Sequence, residues 1–94
     1  MSEFQVVGDT KLKQILEQRN LWSGIHSGRL LAVEQNKAPA KISDGGTSYI
    51  ISYYDGSRYV CTIHRIVTKE GGIIHEHVKD ACIDGIRYKA TERR

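Results

Sequence analysis

Short glycine-bearing turns at close intervals constrain the C-terminal half of this chain more than any other feature. Asp55-Gly56 and Asp84-Gly85 each interrupt runs rich in Tyr, Ile, Val and Thr, and Lys69-Glu70-Gly71-Gly72 interrupts another. Asp-Gly suits a two-residue hairpin loop because such loops favour positive φ at their centre. The flanking β-branched and aromatic residues suit a pleated surface. The spacing predicts four strands, at about 47–54, 57–68, 73–83 and 86–91. Connections this short leave only antiparallel neighbours, so the strands form a meander.

Upstream, Phe4 to Gly8 reads as a short leading strand. Asp9 or Thr10 can cap a helix that follows at about 10–20. Leu12, Ile15 and Leu16 fall on one helical stripe, which together with Leu21 and Trp22 is expected to pack on the sheet. Residues 21–46 are a poorly readable connector, punctuated by Ser23-Gly24, Ser27-Gly28 and Asp44-Gly45-Gly46. Within it the run Leu30 to Val33 fits a strand or a short helix, Pro39 opposes a regular element, and Lys41 to Ser43 suggests a short edge strand. The expected fold is α+β: residues 1–94 form one small domain, with an N-terminal helix packed on a curved antiparallel meander of four to five strands.

Ninety-four residues with 39% hydrophobic and 27% charged content suit a globular chain with one core. No apolar run reaches the roughly 20 residues of a membrane span. Met1 to Gln5 carries no basic segment leading into an apolar stretch, so cytoplasmic residence is the expectation. Two cysteines are too few to staple a secreted fold, and reduced thiols are expected.

The turns also suggest registers. Asp55-Gly56 as a two-residue loop sets Tyr53 against Arg58, Ile51 against Val60 and Tyr49 against Thr62. The middle turn sets Val67 against Ile74, Arg65 against Glu76, Ile63 against Val78 and His64 against His77. The last sets Ala81 against Tyr88 and Cys82 against Arg87. In this arrangement His64, His75 and His77 share one face with Arg58, Lys79, Tyr49 and Tyr53. Cys61 and Cys82 share the other, diagonal to one another, and no disulfide is expected.

Two chemistries follow from that face. His75 and His77 stand about 7 Å apart along a strand at roughly 3.3 Å per residue, and His64 could complete a three-nitrogen set for zinc or another divalent metal. Without a metal, His64 and His77 could act as acid and base, with Lys79 stabilising a charged phosphate. That would make a small metal-independent ribonuclease. The plainer alternative is that these histidines are partly exposed strand residues with no chemical role.

The Lys and Arg excess gives a formal charge of +3, a small footprint. Arg87, Lys89, Arg93 and Arg94 gather near the C-terminus, and Tyr49, Tyr53, Tyr54, Tyr59 and Tyr88 lie on the strands. Rings that stack on bases beside cations that follow phosphates are how several small sheets hold single-stranded nucleic acid. Tyr49, Tyr53, Arg58, Arg87, Lys89, Arg93 and Arg94 are the candidate contacts. The first expectation is therefore a small regulatory binding module for RNA, DNA or a protein partner, needing no cofactor. The ribonuclease or His-ligated metal protein stands second. A homodimer through the helix stripe or through the last strand as a sheet edge is a further expectation.

Overall fold

A computed structural model describes residues 4–42 and 44–91. The chain runs β1 (Phe4–Val7), α1 (Asp9–Gln18), α2 (Leu21–Ser27), β2 (Leu31–Pro39), β3 (Thr47–Asp55), β4 (Arg58–Val67), β5 (Ile73–Ile83) and β6 (Ile86–Ala90). The strands make one sheet in the order β1-β6-β5-β4-β3-β2. The fold is α+β, and the sheet has six strands and is mixed. Strands β2 to β6 are an antiparallel meander, while β1 lies parallel to β6. The sequence expectation of four to five antiparallel strands is corrected on both counts. A parallel partner needs a crossover, which here spans the whole meander, and no local signal reports it.

The turns explain the meander. Asp84 and Gly85 both have positive φ, 54° and 78°, which a type I′ loop requires. At the β3–β4 turn Gly56 has φ 63° and Ser57 is not positive. Asp55 pairs with Arg58, so the loop is Gly56-Ser57, with glycine first as a type II′ turn demands. The middle turn is closed by Thr68 N–H donating to Gly72 O at 2.8 Å and Gly71 N–H donating to Thr68 O at 2.9 Å.

The β4–β5 and β5–β6 registers place Ile63 against Val78, Arg65 against Glu76, His64 against His77 and Cys82 against Arg87, as the sequence suggests. Val67 is the exception: a bulge sets it against Ile73 and not Ile74. The β3–β4 register differs. Tyr53 pairs with Cys61, Ile51 with Ile63 and Tyr49 with Arg65. Moving the turn by one residue shifts the partners by two and preserves the faces. The bulge next to Tyr53/Tyr54 adds one more step and exchanges them.

Both helices lie on one face of the sheet. Leu12 and Leu16 of α1 and Ile25 of α2 pack with Leu30, Tyr53, Cys61, Ile63, Val78 and Ala81, and Ile15, Leu21 and Trp22 close its border. The helix stripe thus covers the sheet. Asp9 does not cap α1, whose N-cap is Gly8. Its Oδ1 accepts the Val78 N–H at 2.8 Å, on a stretch of β5 that extends past the last β6 pair. Asp9 also pairs with Lys13 at 3.1 Å.

The connector holds two elements. Asn20, at φ 60°, turns the chain directly from α1 into α2, and Gly28, at φ 85°, ends it. Arg29 donates to the Asn20 carbonyl. The Leu30 to Val33 ambiguity resolves as a strand that Pro39 ends instead of preventing. Lys41 and Ile42 form a bend and not a strand, and Ser43 lies outside the described residues.

Candidate functional site

Helices cover one side of the sheet, and the opposite side carries the chemistry. Cross-strand partners share a face, so the registers identify its residues. From β2 inward these include Val33, Ser52, Thr62, Asp80 and Lys89 along one row. A second row holds Asn36, Ile50, His64 and His77, and a third holds Ala38, Ser48, Ile66 and His75. Arg87, two residues from Lys89 and opposite Cys82, belongs to the same face.

The three histidines do come together. The ring centroids of His64 and His75 are 5.3 Å apart in an edge arrangement, and those of His75 and His77 are 6.2 Å apart and near parallel. Ser48 Oγ meets His64 Nε2 at 2.7 Å, and His77 Nδ1 lies 3.5 Å from Asp9 Oδ1. Both His64 and His77 hold their protons more weakly than an ordinary histidine, first because partial burial penalises the charged ring. Repulsion from His75 and Lys79 adds to this in both, and His77 is partly compensated by Asp9. Near neutral pH this pair is uncharged. Among the described residues no group of three His, Cys, Asp or Glu side chains is arranged to hold a metal ion. The set of His64, His75 and His77 expected from the sequence is not among such groups; its rings meet edge to face and stacked.

Lys79 sits at a bulge. Thr62 pairs with Asp80 and Ile63 with Val78, which leaves Lys79 without a partner on β4. Its ammonium is exposed and close enough to depress both histidines.

Beside the histidines runs a hydroxyl relay that sequence reading missed. Ser52 Oγ and Thr62 Oγ1 are 2.8 Å apart, Thr62 Oγ1 and Tyr59 Oη are 2.6 Å apart, and Tyr59 donates to Asp80. Each hydroxyl has a single proton, so the carboxylate at the end fixes the direction of every bond: Ser52 to Thr62, Thr62 to Tyr59, Tyr59 to Asp80. Burial and the Asp80 carboxylate push the Tyr59 hydroxyl far above its ordinary range. Nothing local signals this relay, because the β3–β4 register decides whether Tyr59 and Thr62 meet Ser52.

The expected nucleic-acid contacts divide among several places. Tyr53 is 3% exposed and belongs to the core, so it is not a stacking platform. Tyr49 pairs with Arg65 on the helix side and lines a shallow 300 Å³ hollow with Ala32 and Glu34, where no helix reaches. Arg58 stands at the far end of the sheet, 3.8 Å from Asp55, on a 740 Å³ cleft closed by the Arg19–Asp84 pair. Tyr49, Tyr53 and Arg58 therefore do not share the histidine face. Arg87 and Lys89 do lie on that face, and Arg93 and Arg94 fall outside the described residues. The fourth histidine, His26, is on the helix side, where Glu76 joins it at 3.0 Å and Arg65 at 2.8 Å.

Among the described residues, Asp80 is the carboxylate that the strand registers place on the helix-free face, where Tyr59 engages it, and Asp9 reaches that face beside His77. Arg87 and Lys89 share that face with the three histidines, and the Lys79 charge acts on His64 and His77. Among the described residues, no helix is long and apolar enough to cross a membrane. Compared with known protein families, curated proteins and solved structures, the chain matches none.

Proposed function

We propose that the protein is a binding module whose helix-free sheet face receives a single-stranded nucleic acid. One observation carries the reading: Lys89 lies on this face and the Lys79 ammonium stands near its histidines, while the two carboxylates beside them, Asp80 and Asp9, are engaged by Tyr59 and by Lys13 with the Val78 N–H. Phosphates follow the cations, and the imidazoles of His64, His75 and His77 offer flat surfaces of about the size that bases stack upon. Thr62 and Ser48, both partly exposed, add short polar groups between them. A sheet open on one side supplies the shallow, extended surface that an unpaired strand needs.

The test is binding of a fluorescently labelled single-stranded RNA by anisotropy over a salt series. Two phosphate contacts, from Lys79 and Lys89, predict a log–log salt slope of about −1.4. Lys79→Ala combined with Lys89→Ala should weaken binding about tenfold or more and flatten that slope. Absence of binding at low salt, or binding that ignores both lysines, overturns the reading.

A second reading, metal-independent ribonuclease, draws on one specific feature: His64 and His77 are cross-strand partners held neutral beside Lys79. A neutral imidazole is a competent base. Incubating the same RNA with the intact chain and with the His64→Gln and His77→Gln variants decides it. Cleavage lost in both variants supports catalysis, and intact RNA throughout removes it.

A further inference from the structure

We infer that the protein pairs with a second copy of itself through β2, edge to edge and antiparallel, forming one sheet of twelve strands, six from each copy. This rests on the β2 edge alone and not on the nucleic-acid reading.

β2 ends the sheet, and all nine of its residues are exposed. The opposite edge, β1, has four residues. A long uncovered edge presents a row of unpaired N–H and C=O groups, which proteins ordinarily blunt. Here the strand's proline is at its last position, and among the described residues neither helix makes more than marginal contact with β2. The sequence expectation of a dimer through the last strand is corrected, because β6 is interior, between β1 and β5.

The bulge in β2 selects a register. It falls between Glu34 and Asn36, leaving Gln35 without a partner on β3. Ala32 and Glu34 then share the helix-side face with Lys37 and Pro39, while Leu31 and Val33 share the other face with Asn36 and Ala38. Two copies pairing about a two-fold axis must set like faces opposite one another. Registers centred on Glu34 or Gln35 fail this condition: the first sets Leu31 against Lys37, and the second sets Ala32 against Ala38. A register centred between Gln35 and Asn36 satisfies it at Ala32, Val33, Glu34, Lys37, Ala38 and Pro39. It sets Val33 against Ala38, Ala32 against Pro39 and Glu34 against Lys37 of the second copy. Symmetry makes the Glu34–Lys37 pair twice. The neighbouring face-matched register, centred between Glu34 and Gln35, sets Ala32 against Lys37 and leaves Glu34 without a cation. Neither Glu34 nor Lys37 makes an ion pair with a described residue of its own chain. The strand is therefore complementary to itself in charge and in face, in one register. The two-fold axis stands perpendicular to the sheet, so the helix-free faces of both copies point the same way.

Sedimentation equilibrium of the full chain over a concentration series tests the proposal. The parent should show twice the chain's mass, with a dissociation constant that Glu34→Lys or Lys37→Glu raises about tenfold or more, since each replaces two attractions with two repulsions. The double variant, Glu34→Lys with Lys37→Glu, should return to near the parent value. Circular dichroism confirms that each variant is folded. A parent that stays monomeric at every concentration overturns the proposal. So does a dimer indifferent to the single exchanges, or a double variant that fails to recover.

Discussion

Cys61 and Cys82 show how much one strand position decides for a residue. Cys61 pairs with Ala81, the residue next to Cys82, so the two thiols lie on opposite faces. The shared face expected from the sequence is corrected, and the absence of a disulfide has a simpler cause than the diagonal offset. Cys61 is fully buried among the core side chains, and its thiol is pushed up to about 12, first by burial and then by the Asp80 carboxylate. Cys82 is half-buried on the helix-free side. The thiolate is the reactive form. Iodoacetamide at about pH 8 should therefore alkylate Cys82 in the folded protein and reach Cys61 only after denaturation, with peptide mass spectrometry separating the two. Labelling of both at the same rate would contradict the core placement. At this scale the sequence was a partial guide. The histidine convergence was legible because it depends on the β4–β5 register, which the Arg65–Glu76 and Ile63–Val78 matches announce. The locations of Tyr49 and Tyr53 were not, because a bulge that no residue type marks stands between them and the turn.

α1 was legible as an element because its stripe has the helical period and faces a sheet able to receive it. Leu12 and Leu16 are both fully buried. Leu16→Ala leaves a hole under the helix and should cost about 2–5 kcal/mol, the range for truncating a packed core leucine. Urea denaturation monitored by Trp22 fluorescence measures it, and a loss below about 1 kcal/mol would mean that α1 is not anchored as described. α2 was illegible for the opposite reason. Leu21 to Ser27 contains Gly24 and two serines, which are indifferent or poor helix formers, and the element is held from outside. Leu21, Trp22 and Ile25 pack on the core. Gly24 is close-packed, since a Cβ there would stand 2.5 Å from the Arg29 guanidinium. Turns were the most reliable element signals, since the need for positive φ at Gly56 and Gly85 is written into the residue type. β2 offered no such signal: its nine exposed residues alternate weakly, and half of its faces change at Gln35.

For the whole molecule, the histidine face couples stability to acidity. His64 and His77 bind protons less readily in the fold than the ordinary value near 6.5. The unfolded chain therefore takes up more protons as pH falls through about 6.5, and stability declines with it. The contribution is complete above that pH and is lost as pH drops from there toward the depressed folded values. Thermal melts between about pH 7.5 and 5.5 should show a falling Tm, and replacing both His64 and His77 with Gln should flatten the trend. A Tm that rises on acidification would contradict the placement of these rings.

The parallel β1–β6 pair has a further consequence, for the order of assembly. Thr91 holds the Val7 carbonyl across 84 residues of chain. β1 is thus synthesised before the rest of its sheet and waits for β6, the last strand of the meander, to find its neighbour. Until β6 exists, α1 and α2 have only part of their seat, for Ala90 of β6 is in the core they cover. Closing so wide a loop is costly before its contacts reward it. Loop-closure entropy therefore favours an order in which the meander forms first and acts as the template, with β1 docking afterwards. Chains released before Ile86 would expose the β5 border and leave the leading strand with nowhere to go.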